Sequence, residues 1–200
     1  AYGNYPKDEI PCDFNSGIPM QAFKLKITEP YIPWDEGYEK EIIDIDGRKT
    51  IIVIPKKPNG KWAIKTEYMP AFPDVQKKLL ESGYYITHVT NKTRWHDPGD
   101  TDARAKLSEY MVNKYGVSSK CVLIGMSCGG MQAIYFAAKY PELVSCMYLD
   151  APVVNLLSCP FGIGKGLPHG EEFERHKGMD IAELIGYRNH PLDNLDKLAE

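Results

Sequence analysis

Missing from this chain of 200 residues is any C-x-x-C spacing: the cysteines are Cys12, Cys121, Cys128, Cys146 and Cys159. An odd count without that spacing argues against a zinc site and against a disulfide framework. Cys121 and Cys146 stand in apolar runs and are expected as buried thiols. Cys12 and Cys159 are the pair that an oxidising compartment would join. Also missing is an excess of either charge. Lys and Arg number 24 against 27 Asp and Glu, a net charge of -3, which offers no electrostatic basis for binding nucleic acid or an anionic membrane. No apolar run reaches the roughly 18 residues that cross a bilayer. Internal repeats and low-complexity segments are absent as well. No signal peptide is visible and the chain opens at Ala1 rather than Met, so trimming or processing is an expectation. That leaves the compartment open between cytoplasmic and secreted or periplasmic.

What is present suits one globular domain: 43% apolar and 11% aromatic residues, enough to enclose a core. Residues 1–37 are rich in Pro, Tyr and Gly without a period and are expected as an irregular arm. Two β-rich runs then flank Asp46-Gly47, a strong hairpin signal. "KWAIKTEY" is a third strand. "FPDVQKKLLESGY" places Val75, Leu79 and Leu80 at helical spacing between Pro73-Asp74 and Gly83. "YYITHVT" is the next strand. "DPGDTDARAKLSEYMVNKYG" follows as a helix with Leu107, Tyr110, Met111 and Lys114 on one face, stopped by Gly116. "KCVLIG" and "LVSCMYLDAP" are apolar strands flanking an amphipathic helix with Met131, Ile134, Tyr135 and Ala138 on one face. Strands alternating with helices imply an α/β fold: a mostly parallel sheet covered by helices on both faces, opened by a hairpin. That core runs from 38 to 154. Residues 155–190 are an excursion resembling a cap, without clear periodicity, and residues 191–200 begin a helix with Leu192, Leu195 and Leu198.

The most informative stretch is Gly125-Met126-Ser127-Cys128-Gly129-Gly130, set between a buried strand and a helix. A serine nucleophile needs a sharp strand-to-helix turn that lifts its hydroxyl above the sheet and points the helix N-terminus at the site. Side chains two residues before or after the serine would clash there, and Gly125 and Gly129 hold those positions. With its flanks, this stretch resembles the nucleophile turn of the α/β-hydrolase superfamily, over roughly Lys40 to the end. More narrowly, the chain resembles bacterial α/β-hydrolase-like proteins carrying W-x-x-x-T-E-[FY]-x-x-A-F-P, G-M-S-x-G-G and Y-x-D-A-P-V. Here these are Trp62 to Pro73, Gly125 to Gly130 and Tyr148 to Val153.

The resemblance implies that Ser127 is the nucleophile and that the Cys128 backbone N–H is one oxyanion donor. The second donor would come from the loop around Thr66, Glu67 and Tyr68, where the His-Gly often found is absent. Glu67 is either a substrate-binding or orienting acid or a solvated loop acid. Trp95 and His96, in "RWHDPGD", are expected to line the substrate pocket. Asp150, at the end of the strand after the serine, is either the triad acid or, as is favoured, a structural hydrogen-bonding residue.

The base is not found. His88 is expected to be packed in a strand and His96 precedes the serine. His169 lies in the excursion, while His176 and His190 read as surface residues. The expected chain order puts acid and histidine after Ser127. The expectation is therefore that base and acid come from sequence beyond residue 200, on a removed, separate or unresolved segment; a natural short form lacking the triad is the alternative. The functional expectation is a serine hydrolase that forms an acyl-enzyme on a small carboxylic ester. No cofactor, metal, nucleic acid or membrane is expected. The alternatives are a noncatalytic binding protein and a small-peptide peptidase. Three other features carry no chemistry of their own. "GIGKG" is expected as a mobile cap loop. Asn91-Lys92-Thr93 matches the glycosylation sequon, a common chance match. Trp34, Trp62 and Trp95 are expected in packing.

Overall fold

The computed structural model describes residues 33–163 and 169–198, apart from the side chains of residues 159 and 160. Most of the expected arm, Cys12, the Cys159 side chain and most of "GIGKG" lie outside this set. The chain runs β1 (Glu39–Ile45), β2 (Arg48–Ile54), β3 (Trp62–Lys65), α1 (Asp74–Glu81), β4 (Tyr85–Val89), α2 (Pro98–Tyr115), β5 (Cys121–Met126), α3 (Cys128–Lys139) and β6 (Val144–Asp150). Four short helices follow: α4 (Ser158–Phe161), α5 (Gly170–Lys177), α6 (Ile181–Gly186) and α7 (Leu195–Leu198). The sheet has six strands in the order β1-β2-β4-β3-β5-β6. β1 and β2 pair antiparallel, as do β2 and β4, while β3–β4, β3–β5 and β5–β6 pair parallel.

Local chemistry explains most boundaries. Asp46 and Gly47 both take positive φ, 52° and 73°, the conformation a two-residue hairpin turn requires. Asp97 caps α2 by accepting from Gly99 N at 2.8 Å, Pro98 sits at the first turn, and Gly116 closes the helix at φ 62°. One sheet face packs Trp62, Ile64, Leu123 and Val89 against Leu107 and Met111 of α2 and Ala133 and Phe136 of α3. The other packs Val53, Ala63, Ile86 and Ile124 with Leu80 of α1. Each large side chain fully enclosed this way contributes about 1.5–3 kcal/mol.

Several expectations change. α3 is not amphipathic: every residue from Cys128 to Ala137 is buried. Its Ala133 and Phe136 face the sheet, while Cys128, Met131 and Tyr135 face a second cluster with Val153, Leu156, Phe173 and Leu184. The segment after Asn155 supplies Leu156, Phe173 and Leu184, and it is more ordered than its composition suggests, with α4, α5 and α6 within it. Cys121 is buried, and burial pushes its thiol up to about 12, but Cys146 is exposed. Cys146 lies on β6, the last strand in the sheet order, among side chains that no helix of the described residues covers as α1 covers β3 and β4. In the final turns Leu198 packs on the core, whereas Leu192 and Leu195 are exposed. No helix among the described residues is long and apolar enough to cross a membrane.

Candidate active site

Ser127 occupies the single residue between β5 and α3, with φ 52° and ψ -121°. L-residues adopt such a conformation only when their surroundings enforce it. Here the enforcement comes from the backbone. Ser127 N donates to Asp150 O at 3.0 Å, and Ser127 O accepts from Gly130 N (3.0 Å), Met131 N (3.4 Å) and Val153 N (3.0 Å).

The glycines follow from the packing. A Cβ at Gly125 would lie 2.7 Å from Gly129 O and Gly130 Cα. At Gly129 it would lie 3.0 Å from Glu67 Cβ and 3.2 Å from Thr66 Oγ1. At Gly130 it would lie 2.4 Å from Pro152 Cβ. Pro152 belongs to Asp-Ala-Pro-Val, whose Asp150 and Val153 also hold the Ser127 peptide. The third sequence motif meets the same point. Thr66 Oγ1, just after β3, donates to Gly129 O at 2.6 Å and lies 3.1 Å from Ile124 O. All three motifs therefore converge on one turn.

Cys128 opens α3, so its backbone N–H lies at a helix N-terminus, where partial positive charge favours an anion. Its thiol is buried and, like the Arg94 guanidinium, lies close enough to the Tyr68 phenol to influence its ionisation. Burial, then the Cys128 thiol, pushes the phenol pKa up. Tyr68 N is engaged by Glu67 Oε1 at 3.2 Å. Glu67 Oε2 accepts from Asn91 Nδ2 at 2.6 Å, so Glu67 is not a freely solvated acid. Asn91 Nδ2 also donates to Thr66 O at 2.7 Å. That amide nitrogen is thus committed to the loop after β3, which disfavours its use as a glycan acceptor.

Asp150 brings its backbone to Ser127, while the residue as a whole is exposed. Burial lowers the pKa of Lys65, at the end of β3, and the Asp150 charge partly opposes that effect. Trp95 is 1% exposed and packs edge-on to Phe173 at 5.5 Å, so it sits beneath the 155–190 segment rather than on an open wall. His96 stacks on Tyr135 at 4.0 Å and approaches Thr101 Oγ1 at 3.0 Å. Burial, with the nearby Lys177, lowers His96 to about 3, keeping the ring neutral.

The remaining histidines have other partners or positions. His88 Nδ1 lies 2.7 Å from Lys65 O. His169 lies near Trp95, with ring centroids 6.2 Å apart, and His176 is exposed. His190 is not a surface residue. It is 6% exposed, and its Nδ1 accepts from Leu156 N at 3.1 Å while Nε2 lies 3.3 Å from Leu184 O.

Residues without a sequence signal complete the site. Arg94 forms a bidentate ion pair with Glu172 of α5 and lies over the Trp95 ring, tying the segment to the loop after β4. Lys177 Nζ adds a bond to His96 O at 2.7 Å. Arg104 of α2 lies fully buried beneath the Thr66–Tyr68 loop.

Comparison with known proteins matches this geometry to a fold. A family model described as alpha/beta hydrolase fold matches residues 77–172. A Bacteroides ovatus protein provisionally assigned as a dipeptidyl aminopeptidase IV superposes with TM-score 0.60 at 16% identity, over 81% of this chain and 26% of that one. A provisionally assigned carboxylesterase from Lactobacillus plantarum gives TM-score 0.51 at 12% identity, over 63% of each chain. The Francisella virulence factor BioJ gives TM-score 0.50 at 15% identity, over 60% of this chain and 46% of that one. In each case this chain spans less than two thirds of the other's length. At these identities the likeness is one of architecture, and the sheet with its flanking helices is the α/β-hydrolase fold.

Proposed function

We propose that this chain carries the nucleophile of a serine hydrolase acting on carboxylic esters through an acyl-enzyme. One observation carries the reading: Ser127 is held at φ 52° by four backbone hydrogen bonds, at the carboxyl edge of the sheet and the start of α3. An incidental serine would gain nothing from a conformation that costs about 1–3 kcal/mol. In this reading Ser127 Oγ attacks the acyl carbon, and the negative charge on the former carbonyl oxygen meets Cys128 N–H and the α3 terminus. The second donor is a backbone N–H of the Thr66–Glu67–Tyr68 loop. Tyr68 N is already engaged by Glu67, so Glu67 N–H is the better candidate. The alcohol departs, and water releases the acid.

The base is proposed to come from sequence beyond residue 200: His88, His96 and His190 are bonded to other groups, and His169 and His176 lie in the 155–190 excursion rather than on a loop near the end of the fold. That same placement supports the second reading, a noncatalytic protein that binds a ligand at the turn. A fluorophosphonate probe on the full-length protein, including the segment that would supply the base, separates the two. The hydrolase reading expects covalent labelling of Ser127, abolished in Ser127→Ala, and turnover of p-nitrophenyl esters. An unlabelled, folded protein would refute it and leave the binding reading.

A further inference from the structure

We propose that Arg104 is a positioning residue for the Ser127 site, acting through Asn91 on Glu67 and the loop after β3. The proposal rests on the hydrolase reading and adds a residue to it. Arg104 is 0% exposed, and burial lowers its guanidinium to about 10, so it stays charged at neutral pH. A buried cation is costly unless bonded, and here Nε has no acceptor among the described residues. The other nitrogens reach groups that frame the turn. Nη2 donates to Thr66 O at 3.2 Å and to Asn91 Oδ1; Nη1 donates to Gln132 Oε1 at 3.4 Å. Gln132, on α3, passes the contact on to Thr93 O and Arg94 O at 3.1 and 3.3 Å. One guanidinium therefore joins β3's end, the loop after β4 and α3.

The chemistry of the Asn91 step matters most. A cation on Oδ1 polarises the amide and strengthens its donation to Glu67 Oε2. Glu67, pinned by Asn91 and Tyr68 N, cannot swing its carboxylate freely. Its backbone N lies 3.3 Å from where a Gly129 Cβ would stand, so this loop and the serine turn meet at close quarters. An anionic side chain beside a developing oxyanion opposes catalysis unless it is held and its charge offset. Asp100, buried, bonded to Arg48 Nε at 2.8 Å and accepting from Lys92 N at 3.0 Å, helps keep Arg104 charged. Lysine could not form the same fork.

The test uses the full-length protein, with the segment that would supply the base, carrying Asn91→Ala, Arg104→Met, Arg104→Lys or the Asn91→Ala/Arg104→Met pair. Two readouts are taken: the fluorophosphonate labelling rate per folded molecule, and hydrogen exchange at the Glu67, Tyr68 and Cys128 amides. Misplacement of this order costs about 10–100-fold in rate. Each single variant is expected to lose that much, the pair no more than the worse single, and Arg104→Lys to recover little. Global stability loss alone would leave the rate per folded molecule unchanged. Rates within about twofold of the parent, or effects that multiply in the pair, overturn the proposal. Asn91 is half-buried and guards against a variant of Arg104 that fails to fold. If the parent itself is not labelled, the hydrolase reading falls. The exchange data then decide the brace: selective loss of protection at Tyr68, whose N–H donates to Glu67 Oε1, in Asn91→Ala supports it, and unchanged protection overturns it.

Discussion

Replacing Ser127 by glycine should make the protein more stable. The serine sits at φ 52° and ψ -121°, where a Cβ crowds its own backbone. Such a conformation costs a non-glycine residue about 1–3 kcal/mol. Glycine removes that cost but adds unfolded-state entropy of about 0.4–1 kcal/mol. The net gain is about 1.5 kcal/mol, or roughly 3–6 °C in Tm for a domain of this size. The turn will not relax elsewhere in the variant, because Asp150 O, Gly130 N, Met131 N and Val153 N still hold the peptide at position 127.

Ser127→Ala is the internal control. It deletes the same hydroxyl yet retains the Cβ, so it keeps the strain and should remain within about 0.5 kcal/mol of the parent. Thermal unfolding followed by circular dichroism, with urea titration of all three proteins, measures the difference. A glycine variant melting no higher than the alanine variant would refute the claim that this turn stores strain. It would also remove the observation on which the hydrolase reading stands, whatever the enzymology shows.

Gly130→Ala should destabilise by about 3 kcal/mol, because its Cβ would meet Pro152 Cβ at 2.4 Å and a proline ring cannot rotate aside. Gly186→Ala, where an added Cβ meets nothing, should stay within about 0.5 kcal/mol; equal urea midpoints for the two would sink the packing argument. Glu41 of β1 feels burial, which alone would raise its pKa, but bonds from Lys114, Tyr115 and Tyr110 of α2 hold it at about 2 against a free value of 4.5. A lowered carboxyl stabilises above its unfolded pKa and loses that contribution as pH falls through the folded one. Glu41→Gln should therefore cost about 1–2 kcal/mol at pH 7 after allowance for solvent access, with the gap closing between about pH 4.5 and 2. A gap independent of pH in urea titrations would contradict the assignment. His190→Phe leaves the buried Leu156 N–H without its acceptor, at a cost of about 1–3 kcal/mol, with faster hydrogen exchange across α6. Unchanged exchange there would show that His190 does not hold the segment.

These residues also show which parts of the molecule were legible beforehand. Asp46-Gly47, Asp97-Pro98 and Gly116 act within a few neighbours, so their turn and caps could be read from sequence alone. The alternation of strands and helices was legible for the same reason. Long-range effects were not. α3 looks amphipathic until Phe173 and Leu184, far along the chain, cover its second face. His190 resembles a surface residue because its partners, Leu156 N and Leu184 O, belong to a segment whose helices are too short for a clear period. Arg104 gave no signal, since a buried arginine and a solvated one look alike in sequence, and Asn91 drew notice only as a sequon match.

The three motifs present the sharpest case of the same limit. Gly130 must lack a side chain because Pro152 is there, and Pro152 lies beyond the whole of α3 and β6. Val153 N and Asp150 O then fix the peptide that both glycines make room for. Thr66, from a third strand, hydrogen-bonds the carbonyl of Gly129, where a Cβ would crowd Thr66 itself. The motifs thus constrain one another through contact, each leaving its neighbour few alternatives. Thr66→Val tests that interdependence with minimal change in shape. Losing the 2.6 Å bond to buried Gly129 O should cost about 1–3 kcal/mol and slow labelling at Ser127, though Val binds no ligand and removes no catalytic group. Stability lost with labelling per folded molecule unchanged would mean that the bond holds the fold but does not shape the site.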